Sequence, residues 1–220
     1  ERFPKWLRKA VQKLDFLGLP NLGMLICGLA VLGFLGLNMG SAPFERFVFD
    51  PVAVVNGEWW RLFAFPVSAK IGSSPLFFIF YLMYVYFVMN SLEEQWGPGP
   101  LTVFVLLSYI LALVGAILTS TTTNIWYYVL ENISLAFGTL FPNFELLLFF
   151  ILPVKAKWLA LIAGGIIVVQ FIGGDLSTKL FLLTALFPYL LFFSPMLYSA
   201  AKNYWLVRQR RQKFDKDMWK

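Results

Sequence analysis

Apolar runs of near membrane length alternate along this chain with short polar islands, and that alternation sets the elements. The runs are Leu19 to Leu37, Ser74 to Asn90, Leu101 to Leu118, Asn124 to Leu140, Trp158 to Ile172 and, from about Leu176, to Ala200. A helix needs about 20 apolar residues to cross about 30 Å of hydrocarbon. The pattern therefore predicts an all-α integral membrane protein with six transmembrane helices over residues 19–200. Gly and Pro punctuate the joints: Pro98-Gly99-Pro100 before the third span, Phe141-Pro142-Asn143 after the fourth, Gly173-Gly174-Asp175 before the sixth. A long loop, Asn38 to Gly72, separates the first two spans. The stretch from Phe144 to Pro153 is apolar but short, so a re-entrant or interfacial extended segment packed against protein is expected, since bare backbone groups are not tolerated in lipid.

The flanks differ. Residues 1–18 read as an amphipathic interfacial helix, with Phe3, Trp6, Leu7, Ala10, Val11 and Leu14 on one side and basic residues largely on the other. Residues 201–220 form a basic tail containing Lys202, Arg208, Arg210, Arg211, Lys213, Lys216 and Lys220. An even number of crossings puts both basic ends on one face, which the positive-inside rule assigns to the cytoplasm. Lys155 and Lys157 fall on that face too.

Composition agrees with a membrane class. The chain is 59% hydrophobic and 14% charged, with a mean hydropathy of +0.71, which is too apolar for a soluble globule. Its net charge of +6 is concentrated at the flanks, so membrane lipid rather than nucleic acid is the expected partner. Cys27 is the one cysteine and there is no histidine, which excludes an internal disulfide and a thiolate metal cluster; no metal and no cofactor are expected.

Two polar islands bracket the second span: Gly57-Glu58-Trp59-Trp60-Arg61 before it and Leu92-Glu93-Glu94-Gln95-Trp96-Gly97 after it. Arg61 reads as an interfacial anchor with Trp59 and Trp60 in the aromatic belt. One span separates Arg61 from Glu93 and Glu94, so Glu58 is its nearer partner. Glu93 and Glu94 end the second span, where a carboxylate opposes the helix macrodipole; they either cap the turn or form a solvated acidic loop, with Gly97 supplying the chain reversal.

This pattern of Glu58, Trp60 and Arg61, one apolar span, then Leu92, Glu93 and Gly97 resembles the first long loop and second helix of rhomboid intramembrane proteases and their non-proteolytic relatives, the derlins. The segment Phe141-Pro142-Asn143 to Trp158 is similar to the family's connection into its fifth helix, with Pro-Asn in place of Asn-Pro. The resemblance covers roughly residues 58–193. It implies that the Trp-Arg pair fastens a loop half-submerged in one leaflet.

Aligned on Gly138, the fourth span is similar to the rhomboid helix whose Gly-x-Ser-Gly motif supplies the nucleophile; here those positions read Tyr128, Val129, Leu130 and Glu131. Leucine cannot attack a carbonyl, and no histidine exists to accept a proton. Glu131 stands within an apolar span, where ionisable groups face protein or water. Asn132 and Ser134 follow it, and Ser134 reads as an ordinary back-bonding serine. Asp175 and Lys179 open the sixth span. Glu131 is expected to contact Lys179 or Asn132, joining the fourth and sixth helices where a catalytic dyad would have been.

The resemblance thus implies a rhomboid-like pseudoprotease, not an enzyme, that binds transmembrane client proteins through lateral openings and perturbs the local bilayer, in quality control, retention or dislocation. The basic tail would recruit a cytoplasmic partner or lipid, or serve topology alone. The alternatives are an intramembrane protease using Ser134 with Lys179 or Glu131 with Asp175, or a small transporter.

Overall fold

The structure, a computed structural model, describes residues 18–38, 44–64, 74–148 and 152–218. The expected N-terminal amphipathic helix lies outside them. The helices are α1 (Leu22–Asn38), the short α2 (Pro51–Val55), α3 (Pro75–Trp96), α4 (Pro98–Leu118), α5 (Ile125–Leu140), α6 (Ala156–Gly173) and α7 (Leu176–Met218). A hairpin of β1 (Glu145–Leu148) and β2 (Leu152–Lys155) joins α5 to α6.

Local chemistry explains the boundaries. Asp50 caps α2, its side chain accepting from the N–H groups of Val52 and Ala53, and Pro51 takes a first-turn position where no donor is needed. Pro75 starts α3 in the same way. Gly97, at φ 89°, ends α3 and precedes α4, a conformation that L side chains rarely adopt. The Asn124 side chain accepts from the Trp126 N–H to open α5.

Among the described residues, four helices are long and apolar enough to cross a membrane: α3, α4, α6 and the Leu176–Met196 part of α7. Helix α1 is apolar but shorter, at 17 residues, and α5, at 16 residues, carries Glu131 and Asn132 within its length. Three boundaries differ from the sequence reading. Helix α3 continues to Trp96, so Leu92, Glu93 and Glu94 lie in its last turns rather than in a loop. Pro98-Gly99-Pro100 opens α4 instead of preceding it, because proline's missing N–H is harmless in a first turn. Helix α7 runs on past Ala200 to Met218, so the sixth apolar run and the basic tail share one helical backbone.

The short apolar stretch after α5 is an antiparallel hairpin, with Glu145 opposite Lys155 and Leu148 opposite Leu152. Its strands pair along their facing edges, which an isolated extended segment could not do in an apolar setting.

Helix α5 sits at the centre, packed against α3, α4, α6 and α7. Ten of its sixteen residues are buried. Helices α4 and α7 share the most extensive helix contact, where Gly115 meets Thr184 and Phe181, and α1 packs on α3, where Gly23 faces Met89. Helix α6 is the contrast: among its described residues Ala156 and Ile167 alone are buried, while Leu161, Ile162, Val169 and Ile172 are exposed.

Polar bonds fix both ends of the bundle. The Leu19 N–H donates to Thr102 Oγ1 (3.1 Å) and the Asn21 N–H to Glu93 Oε1 (2.8 Å), which holds the start of α1 at the α3–α4 junction. At the other end, buried Phe49 exchanges two 3.0 Å backbone hydrogen bonds with Thr123 and ties the loop before α3 to the α4–α5 turn.

Candidate functional site

Helical spacing distributes the polar residues of α5 over different neighbours. Residues three apart share a face, and adjacent ones point about 100° apart. Asn132, fully buried, turns to α7, and its Nδ2 donates to the Ala185 carbonyl at 2.7 Å. Glu131 and Ser134 face the other way, into a cavity of about 270 Å³. Its walls are Tyr84 from α3, Tyr127, Leu130, Glu131 and Ser134 from α5, and Leu159, Ile162, Ala163 and Ile166 from α6.

Within that cavity, Ser134 Oγ donates to the Leu130 carbonyl and accepts from the Tyr84 hydroxyl, both at 2.7 Å. Bonding back to the carbonyl four residues earlier is a common arrangement for a serine within a helix. Glu131 is only 6% exposed, and its Oε2 has no hydrogen-bond partner.

The expected contact between Glu131 and Lys179 is absent among the described residues; Asn132 alone of that group joins the fourth and sixth helices. The cause is the rotation of α5, which aims Glu131 towards α6 while Lys179 rides on the first turn of α7. Asp175 does not line the cavity either. It is exposed, and its Oδ1 accepts from Thr178 Oγ1 (2.6 Å) and the Thr178 N–H (2.9 Å). Those two hydrogen bonds, with Lys179 nearby, hold its carboxyl below the ordinary carboxylate range. The structure therefore does not gather Ser134 with Lys179, or Glu131 with Asp175, around one cavity.

The polar islands do different work at opposite ends. Arg61 Nε meets Glu58 Oε2 at 2.5 Å, and Nη1 donates to the Val48 carbonyl at 2.7 Å. The Arg61 side chain is 10% exposed, so it is packed into the loop rather than reaching into solvent. Trp59 and Trp60 occupy a 3₁₀ turn and face outward, as do Val52, Val55 and Phe63. At the other end, Leu92 is fully buried, Glu93 accepts from Asn21, and Glu94 accepts from Asn90 Nδ2 at 2.8 Å.

Sequence reasoning passed over Tyr84, which supplies a wall of the cavity and the bond to Ser134. It also missed Tyr81, whose hydroxyl accepts from Trp126 Nε1 and so ties α3 to α5. Their three-residue spacing places both on one face, a signal hidden among the many aromatic residues of α3.

Comparison with protein-family models, curated proteins and solved structures finds no match to this chain.

Proposed function

We propose that this protein is a rhomboid-like, non-proteolytic membrane protein that binds transmembrane segments of client proteins beside α3 and α6 and perturbs the bilayer around it. The observation that carries this reading is the cavity over α5: at the place where the resemblance calls for a nucleophilic serine and its neighbour, it holds Leu130 and Glu131. The chain has no histidine to act as base. The cavity lies between α3 and α6, and α6 is a helix with much exposed apolar surface.

In this proposal α1 and α5 also cross, making six passes with both basic ends cytoplasmic. Helix α5 is about 24 Å long at 1.5 Å per residue. Because four other helices pack against it, its shortness is not set against lipid. The loop before α3 lies half-immersed. Its outward Val52, Val55, Trp59, Trp60 and Phe63 would each gain roughly 1.5–3 kcal/mol on leaving water, and Arg61 with Glu58 pins the turn that presents them. Retention, quality control or dislocation of membrane proteins is the proposed role, with the basic end of α7 recruiting anionic lipid or a cytoplasmic partner.

The test is photo-crosslinking in native membranes, with probes at Tyr86 on α3 and Ile166 on α6 and a control at Ile110 on α4, all exposed. Enrichment of membrane-spanning proteins at the first two probes is expected. Capture no greater than at Ile110, or cleavage of a helical substrate by purified protein, would overturn the reading.

A further inference from the structure

Apolar surface by itself cannot define a docking site within a bilayer, because lipid tails solvate Leu and Ile as well as another helix does. What sets the α3–α6 cavity apart from ordinary lipid-facing surface is a carboxyl group. Glu131 is only 6% exposed, its Oε2 has no hydrogen-bond partner, and no Lys or Arg is among the described residues that line the cavity. Two of the hydroxyls that line the cavity are committed elsewhere, Tyr84 donating to Ser134 and Ser134 to the Leu130 carbonyl; that of Tyr127, one turn before Glu131, is the third. A buried carboxyl oxygen without a partner is unfavourable, and a donor arriving from outside relieves it.

We propose that the cavity receives a client transmembrane helix carrying a lysine or arginine within its apolar stretch, and that Glu131 is the group that reads this side chain. The proposal rests on the client-binding reading above and names the class of client. Depth argues for a helix-borne cation: Glu131 is the seventh residue of α5, about 9 Å from its start. A lipid headgroup stays at the surface, whereas a basic side chain on a crossing helix can stand at that level. Size agrees as well. About 270 Å³ holds side chains rather than a whole helix, so the client's backbone would lie along the lip formed by Ile162 and Ile166 while its long basic side chain enters. Selectivity follows from the same physics. A leucine gains little by leaving lipid, a lysine or arginine gains a carboxylate partner, and an aspartate brings no opposite charge.

The experiment uses the full chain in nanodiscs with a photo-reactive probe at Ile166 and synthetic single-span Leu/Ala helices that differ at one position: Lys, Arg, Leu, Gln or Asp. The expected result is that the Lys and Arg helices are captured at least about tenfold more than the Leu helix, equivalent to about 1.4 kcal/mol, with Asp well below Lys. Glu131→Gln should bring Lys capture down to the Leu level. Equal capture of Lys and Leu helices, or of Lys and Gln helices, overturns the assignment to charge while leaving client binding intact. Capture of none of the helices overturns both. The helix series is read with Glu131 in place, so instability of the Glu131→Gln variant does not remove the test.

Discussion

Replacing Gly138 by alanine would drive one methyl group into the α5–α6 interface. A Cβ built there overlaps the Cβ of Ala160 and lies 3.0 Å from the Ala156 carbonyl oxygen. Ordinary carbon contacts lie at about 3.5–4.0 Å, and both obstacles are a helix backbone or a Cβ fixed to it, so neither can rotate away. The helices must part, and overpacking of this kind costs typically 1–3 kcal/mol. Helix α6 is the one that should yield, because it has two buried residues against ten for α5. Gly165 on the same helix is the matched control: a Cβ there meets nothing within 4 Å. Gly165→Ala should be neutral or stabilising by up to about 1 kcal/mol through helix propensity. Reversible unfolding in mixed micelles, with thiol accessibility along α6, reads both variants. If Gly138→Ala matches Gly165→Ala within about 0.5 kcal/mol, which is the size of an ordinary surface substitution, the close α5–α6 contact is refuted.

Three further outcomes are expected. Asn132→Leu removes the amide bond to the Ala185 carbonyl and should destabilise the bundle by about 0.6–1.7 kcal/mol, the range for interhelical hydrogen bonds in membranes, as measured by the same unfolding assay. Arg61→Ala removes a charge-assisted bond to Glu58 and one to the Val48 carbonyl, for about 1.5–3 kcal/mol; hydrogen exchange of the loop at 48–62 should rise while that of α4 stays unchanged. The depressed Asp175 carboxyl contributes stability that is present above its ordinary range, near pH 4, and is lost as pH falls through its lower folded value. The stability difference between the protein and Asp175→Asn should therefore shrink in acid, and a difference that is flat with pH would remove Asp175 as a charged cap.

The legibility of the candidate site can be followed residue by residue. The pairing of Arg61 with Glu58 was readable because the two are three residues apart and Glu93 lies a full span away. The common face of Glu131 and Ser134 followed from helical spacing. The identity of their neighbour did not, because a helical wheel carries no label for the helix it faces. Asn132 shows the same gap from the other side: the sequence offered it as a contact for Glu131, whereas packing aimed it at Ala185.

Hydropathy and punctuation determined by themselves that the chain is a helical membrane protein and where most helices begin and end, because the bilayer selects for long apolar helices and Pro, Gly, Asp and Asn act on the backbone beside them. Tertiary structure decided which helix occupies the centre, which way α5 is rotated, and hence that Glu131 opens onto the α3–α6 cavity instead of meeting Lys179. Rotation about a helix axis is set by many small contacts between side chains far apart in sequence, such as Gly138 against Ala160 and Trp126 against Tyr81, and no local pattern encodes their sum.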